Sequence, residues 1–225
     1  MTLSNRIQYI FASALILFYV IGLIGLNLHS VQAVFKYIIP FNILALCILV
    51  LISHKGWNTR MVLFSISVFL LGYGVELLGI KTGVIFGEYQ YVKYMGPKVY
   101  GVPLLIGLNW LLMVYSTGNM VNLGWKDGGI MQKSLLGAFW MTFTDLFLEN
   151  FAVSNEMWEW LNPDGGIPLQ NFVAWFYISF IFQLGFHYLF PNLKNRFAAF
   201  VSVLLLLFFL AYVSWPVLTD FSINK

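Results

Sequence analysis

Three carboxylic acids lie within the long apolar stretches of this 225-residue chain, namely Glu76, Asp145 and Glu149. No Lys or Arg occupies a comparable depth in any of these stretches. An ionised carboxylate near the centre of a bilayer costs about 2.5–3.5 kcal/mol, so each group must face a protein interior, lie near water, or keep its proton. A buried carboxyl group that keeps its proton can act as an acid near neutral pH. The chemistry that these residues predict is therefore proton transfer.

The composition predicts an integral membrane protein. Hydrophobic residues make up 60% of the chain and charged residues 9%, with a mean hydropathy of +0.81. Soluble domains have roughly 45–50% apolar and about 25% charged residues, so a soluble enzyme, a disordered chain and a nucleic-acid binder are all excluded. The one cysteine, Cys47, cannot form an intrachain disulfide, and the three histidines are spaced unlike metal ligands. We expect a lipid bilayer as partner, and neither a metal nor nucleic acid.

Seven apolar runs have the roughly 20 residues that a transmembrane helix needs. The fifth is the weakest, because Asp145 and Glu149 interrupt it. The first is longer than the apolar part of a signal peptide, so we interpret it as a retained span. The predicted fold is all-α, a polytopic membrane bundle of about seven transmembrane helices, with residues 1–225 forming a single integral membrane domain. The predicted spans are Tyr9–Leu28, Val34–Ile52, Met61–Ile80, Val102–Val121, Leu135–Phe151, Leu169–Phe190 and Phe197–Trp215.

The distribution of basic residues predicts how this bundle is oriented. Short cytoplasmic loops are enriched in Lys and Arg. With seven spans, seven of the 12 basic residues fall on the side of the N-terminus and five on the other side. We therefore expect a cytoplasmic N-terminus and an external C-terminus, in the cell inner (plasma) membrane.

The span order also predicts that the acids and the unusual loops share one face. Glu76 lies near the end of the third span and Glu149 near the end of the fifth, so the loops that follow them emerge on the same side of the membrane. These loops and the next helix contain Tyr and Trp residues, which at a membrane interface usually form an aromatic belt. Near acids they can instead attract a cation or stack on a long apolar ligand. We expect a functional pocket in this leaflet.

The run GVELLGIKTGVIFGEYQY at residues 74–91, followed by Gly101-Val102-Pro103, resembles the membrane carotenoid-biosynthesis hydratases. The resemblance continues downstream and covers nearly the whole chain. It is weaker after Glu149, where related sequences read Glu-Pro-Val-Ala and this chain has Glu149-Asn150-Phe151-Ala152. The missing proline is expected to end the fifth helix less sharply.

The resemblance implies that water is added to the acyclic (ψ) end of a carotenoid. Protonation of C2 in the terminal C1=C2 bond gives a tertiary cation at C1, and water captures it, so no cofactor is implied. Asp145 is expected to donate the proton, with Glu76 as the next candidate, and Glu149 to activate water or relay the proton. Asn171 is expected to orient the water. The implied partners are a long apolar carotenoid, water and other enzymes of carotenoid synthesis. The expected substrate-binding residues are Thr82, Phe86, Tyr89, Tyr91, Trp158, Trp160, Asn171 and Trp175.

Other interpretations use some of the same features. A carotenoid end-group cyclase would form the same C1 cation and capture it with the C5=C6 bond. Buried acids are also typical of transporters, although the inverted repeat expected of many carriers is not visible. A carotenoid-binding protein without catalysis, in which the acids are only hydrogen-bond partners between helices, also remains open. A retinal photoreceptor is excluded, because the span Phe197–Trp215 has no lysine for a Schiff base.

Overall fold

The computed structural model of the protein describes residues 5–163 and 165–223. This part of the chain forms seven α-helices, one for each apolar run, which confirms the predicted helical bundle. Lys225, counted in the orientation argument, lies outside the described residues, and the orientation stays a prediction. The helices are α1 Asn5–Asn27, α2 Gln32–Ser53, α3 Thr59–Thr82, α4 Leu105–Gly124, α5 Ile130–Ser154, α6 Leu169–Leu189 and α7 Arg196–Ile223.

Five of these helices, α1, α2, α3, α6 and α7, are long and apolar enough to cross a membrane within the described residues. Helices α4 and α5 fall short, although seven spans were expected. Helix α4 is the centre of the bundle and contacts α2, α3, α5, α6 and α7. It buries polar residues such as Asn119 and Asn122, which would be energetically costly on a helix that faces lipid. Helix α5 has a lower hydropathy because it carries Asp145 and Glu149.

The loops contain short antiparallel strands that the sequence analysis did not predict. Strand β1 (Tyr89–Tyr91) follows α3 and pairs with β4 (Trp158–Trp160), which follows α5. Between them in the chain, β2 (Lys98–Val99) pairs with β3 (Val102–Pro103). Alternate residues of a strand point to opposite faces, so the register Tyr89↔Trp160 and Tyr91↔Trp158 places four buried aromatic residues on one face. The outward face has Gln90 and Glu159, whose side chains are hydrogen-bonded at 2.5 Å.

Glycines on α3 bring α4 and the following loop close to Glu76. A Cβ atom added at Gly72 would lie 2.6 Å from Trp110 of α4, and one added at Gly79 would lie 2.7 Å from Phe86. Helix α3 then ends at Gly83, which has a left-handed φ of 65° that favours glycine. These small residues therefore permit α4 and the following loop to approach α3 closely.

Helices α5 and α6 form the most extensive helix pair and are antiparallel. Gly137 of α5 lies between the two helices, against Gln183 of α6. A Cβ atom added at Gly137 would lie 2.8 Å from the amide carbon of Gln183, so a glycine lets this side chain pack there. Helix α5 continues past Asn150 and Phe151 to Ser154, as expected from the missing proline. Asp145 and Glu149 are four residues apart in α5, so their carboxyl groups lie one turn apart and both contact Asn171 at the start of α6.

Candidate active site

Glu76 is held by three donors from two different parts of the chain. Its Oε2 accepts hydrogen bonds from the hydroxyls of Tyr89 (2.6 Å) and Tyr91 (2.9 Å). Its Oε1 accepts a hydrogen bond from Nε1 of Trp110 at 3.0 Å. The residue is 6% exposed. Three donors satisfy a buried carboxylate without any basic residue.

Glu149 has a similar set of donors from the opposite strand. Its Oε2 accepts hydrogen bonds from Nε1 of Trp158 (2.9 Å) and Nε1 of Trp160 (3.1 Å). Its Oε1 accepts one from Nδ2 of Asn171 at 3.2 Å. The strand pair β1–β4 therefore supplies two aromatic donors to each glutamate, tyrosines to Glu76 and tryptophans to Glu149.

Asp145 has a different environment, although it lies one helical turn from Glu149. Its Oδ2 accepts a hydrogen bond from Nδ2 of Asn171 at 3.1 Å, so Asn171 bridges the two acids of α5. Its Oδ1 is buried and has no hydrogen-bond partner among the described residues. Asp145 is 0% exposed. Of the three acids, it has the fewest donors to stabilise a negative charge, and so its environment best suits a protonated carboxyl.

The electrostatics of the site are set by acids and aromatic rings. The three buried acids form no ion pair with any of the described residues. The ion pair in this part of the chain joins Lys36 and Glu156 at 2.8 Å, outside the site. Burial raises the pKa of the Tyr89 and Tyr91 hydroxyls above the ordinary value for tyrosine, and the nearby Glu76 carboxylate raises it further. Both phenols therefore stay protonated and donate to Glu76 at all physiological pH values. A cation formed here would meet acidic groups and aromatic faces.

The acids and aromatic residues surround a pocket with about 370 Å³ of empty space, counted with the solvent open to it, here called the acid pocket. Trp175 closes one wall by stacking on Trp110, with ring centroids 4.3 Å apart and planes at 19°. The predicted site residues that line the acid pocket are Glu76, Phe86, Tyr89, Tyr91, Glu149, Trp158, Trp160, Asn171 and Trp175. The sequence predicted that these residues lie on one side of the bundle, and the fold brings them together.

Two predicted site residues lie off the wall of the acid pocket. Asp145 is behind Asn171, one hydrogen bond from the pocket. Thr82 is exposed and serves the end of α3, because its hydroxyl donates to the carbonyl of Leu78 at 2.7 Å and accepts from the amide of Val84 at 3.2 Å. A threonine near a helix end often bonds to its own backbone in this way. The structure thus gives Thr82 a local role at the end of its helix.

Helix α4 supplies residues that sequence reasoning missed. Trp110 binds Glu76, and the neighbouring Asn109, together with Ile106, lines the acid pocket. The position of Trp110 could have indicated a role in the site. A tryptophan of an aromatic belt lies at the end of a span, whereas Trp110 lies well inside its apolar run. A further missed residue on the wall is Leu148 of α5. No group of three or more His, Cys, Asp or Glu side chains in the described part of the chain is arranged to hold a metal ion.

Comparison with known proteins identifies the family. The model of a family described as "Carotenoid biosynthesis protein" matches residues 10–222 of this chain. The chain belongs to this family. Bisanhydrobacterioruberin hydratase from Haloarcula japonica is similar to this carotenoid biosynthesis protein, with 29% identity over 119 residues. That match covers 49% of this chain and 39% of the relative. No solved structure matches the chain.

Membership of the carotenoid biosynthesis family agrees with the helical bundle and its apolar surface. The protein is an integral membrane protein with large apolar side chains exposed on α1, α2, α3 and α6, among them Leu17, Phe41, Leu70 and Ile181. The matched range 10–222 includes all three buried acids and both strands of the β1–β4 pair. The acid pocket is therefore part of the family's own domain.

Proposed function

We propose that the protein is a carotenoid end-group hydratase, which adds water across the terminal C1=C2 bond of an acyclic ψ end to give a tertiary alcohol. The observation that carries the proposal is the acid pocket, in which acids and aromatic rings meet without a basic residue. The naming of a similar protein as a hydratase supports the same reaction. Adding water moves no electrons between substrate and enzyme, so the proposed reaction needs no redox cofactor.

Asp145 is the proposed proton donor. A hydrocarbon alkene is a weak base, so the donor must be a neutral acid whose anion is stabilised as the reaction proceeds. The unpaired Oδ1 of Asp145 can carry the proton, while the hydrogen bond from Asn171 to Oδ2 remains to stabilise the aspartate that is left. Transfer to C2 places the positive charge on C1. Because Asp145 lies behind Asn171, its carboxyl group must turn towards the acid pocket when it delivers the proton.

The wall of the acid pocket is suited to the cation at C1. Glu76 and Glu149, each with three donors, are the groups that can remain ionised. The rings of Tyr89, Tyr91 and Trp175 present further negative potential. Fixed groups of this kind stabilise a developing charge without reorganising.

Water completes the proposed reaction and restores the enzyme. A water held by Asn171 and Glu149 adds to C1, and its proton passes to Glu149. Glu149 and Asp145 are one turn apart and share Asn171, so the proton can return to Asp145 within this group. Each cycle therefore consumes one water molecule and no net proton.

The proposed function is tested by product analysis in a host that makes acyclic carotenoids. The full chain is expected to convert the pigment into a product heavier by one water, and growth in ¹⁸O-labelled water should label the new tertiary hydroxyl. In deuterated water, one deuterium should appear at C2. A product of unchanged mass with a ring would instead indicate a cyclase, and bound but unaltered pigment would indicate a carotenoid-binding protein.

The Tyr91→Phe variant is expected to keep part of the activity. It retains the ring that packs edge-on against Trp158 at 5.9 Å, and Tyr89 still donates to Glu76. Loss of one hydrogen bond to a charged group should slow hydration about tenfold, as measured by initial rates of product formation. Tyr177→Phe, on the exposed face of α6, is the matched control. Complete loss in Tyr91→Phe alone would mean that its hydroxyl takes part in the reaction.

A further inference from the structure

A second and larger cavity lies beside the acid pocket. It holds about 840 Å³ of empty space, counted with the solvent open to it, and is formed by α1, α2, α4, α5 and α7 with part of the loops. We call it the apolar cleft, and its lining includes Phe18, Gly22, Ile39, Leu112, Phe151 and Phe209. Its lining has 22 residues and that of the acid pocket has 12, so the apolar cleft is the more extensive of the two.

The apolar cleft and the acid pocket adjoin each other at a shared wall, here called the junction. Ile106, Asn109, Leu148 and Trp158 line both of them. Trp158 also donates a hydrogen bond to Glu149, so a ligand that passes the junction meets the acids at once. The apolar cleft therefore lies directly beside the acids, with these four residues between the two cavities.

The lining of the apolar cleft offers few polar groups to a ligand. Tyr19 and Asn42 are polar residues of its lining, and they are hydrogen-bonded to each other at 3.1 Å. At the junction, Asn109 is half-buried. Most of the other lining side chains are hydrocarbon or aromatic, which suits a ligand that is apolar along its length. A lipid headgroup or a transported ion would leave these surfaces unmatched.

The cleft also reaches the surface of the bundle. Phe18 lines it and is 42% exposed, on a helix with other exposed apolar residues. Gly22, one turn further along α1, has nothing within 4 Å of the position of an added Cβ atom. The wall at Gly22 is therefore open, and an apolar molecule in the bilayer can enter from the side.

We propose that the apolar cleft is the binding site for the polyene chain of the substrate, which enters from the lipid beside α1 and passes its terminal alkene through the junction at Asn109 into the acid pocket. This inference rests on the proposed function for the identity of the ligand. It adds a site for the unreactive part of the molecule, whose binding energy would hold the alkene against the acids.

Gly22→Phe tests the proposal, because Gly22 lines the cleft and an added Cβ atom there meets nothing within 4 Å, so a large ring can be introduced without an initial backbone clash. Gly74→Phe on α3 is the matched control, since an added Cβ atom there also has nothing within 4 Å and Gly74 lines neither cavity. We expect Gly22→Phe to raise KM for a long ψ-carotenoid by at least ~10-fold, the scale of a misfit in an apolar pocket. A short isoprenoid with the same terminal alkene should be hydrated as well by Gly22→Phe as by the control. Elution as a single species in detergent checks that both variants fold.

Pigment binding gives a measurement that does not depend on turnover. In an Asp145→Asn background, the full chain is expected to purify with unreacted ψ-carotenoid, and adding Gly22→Phe should remove most of it, whereas adding Gly74→Phe should not. Equal pigment in both double variants would overturn the cleft proposal, as would a phospholipid in the cleft that Gly22→Phe displaces. If the unmodified protein binds pigment at the cleft but adds no water, the proposed function fails and the binding site stands.

Discussion

Asp145→Asn is expected to abolish hydration of an acyclic carotenoid, with a rate loss of about 10²–10⁴-fold, the range of general acid catalysis. The amide has almost the same shape as the acid and can still accept the hydrogen bond that Asn171 donates to Asp145. It cannot release a proton to carbon. The variant should therefore fold normally and accumulate unreacted pigment, as measured by chromatography and mass analysis of extracts.

The matched control for this variant is Asp127→Asn, because Asp127 is exposed in the loop between α4 and α5. It should leave product formation unchanged. If Asp145→Asn still makes the tertiary alcohol at the normal rate, Asp145 is not the proton donor, and Glu76 becomes the first candidate. Loss of the folded protein in Asp145→Asn would be detected by its thermal unfolding in detergent, and Asp145→Glu would then be used to restore the acid.

Glu76→Gln is expected to lower the hydration rate by about 10²-fold, the effect of removing one preorganised electrostatic partner from a reacting centre. The amide removes the negative charge nearest to Tyr89 and Tyr91. Its NH₂ group can turn towards these hydroxyls, which are able to accept, and leave its oxygen for Trp110. The effect should therefore fall on the chemical step more than on folding, as measured by kcat together with thermal stability.

Glu159→Gln is the control for Glu76→Gln, since Glu159 is on the outward face of β4 and binds only Gln90 among the contacts described above. It should behave as the unmodified protein does. Unchanged kcat in Glu76→Gln would remove Glu76 from the stabilisation of the cation. Complete loss of hydration in Glu76→Gln, together with a normal rate in Asp145→Asn, would assign the proton to Glu76 instead.

Local patterns in the sequence were sufficient to predict where the seven helices of the described residues lie. Apolar runs of about 20 residues are specified by neighbours in the chain, and each run from Tyr9 to Trp215 corresponds to one helix. The alternation Tyr89-Gln90-Tyr91 and Trp158-Glu159-Trp160 was also a local signal, typical of strands, but each run is only three residues long. Its meaning depends on pairing between segments about 70 positions apart in the chain, which no local window contains.

Hydropathy did not separate buried helices from lipid-facing ones. The run Val102–Val121 was predicted as a span on the same grounds as the others, yet α4 is the central helix and falls short of the hydropathy of a membrane-spanning helix. A helix surrounded by protein can carry polar residues such as Asn109 and Asn119, because neighbouring helices can supply hydrogen-bond partners that lipid lacks. Because α4 was taken for an ordinary span, the hydrogen bond that Trp110 donates to Glu76 was not predicted.

The amino-acid sequence by itself determined that the chain lies in a membrane as a helical bundle, and that Glu76 and Glu149 end up on the same side of it. These conclusions follow from hydropathy and from counting spans, which are local properties. Only the tertiary structure decided which donors each acid receives, that Thr82 binds its own helix, and that Asp145 lies behind Asn171 with one oxygen unpaired. Those features depend on side chains brought together from distant segments, where close packing at glycines and the strand register fix their positions.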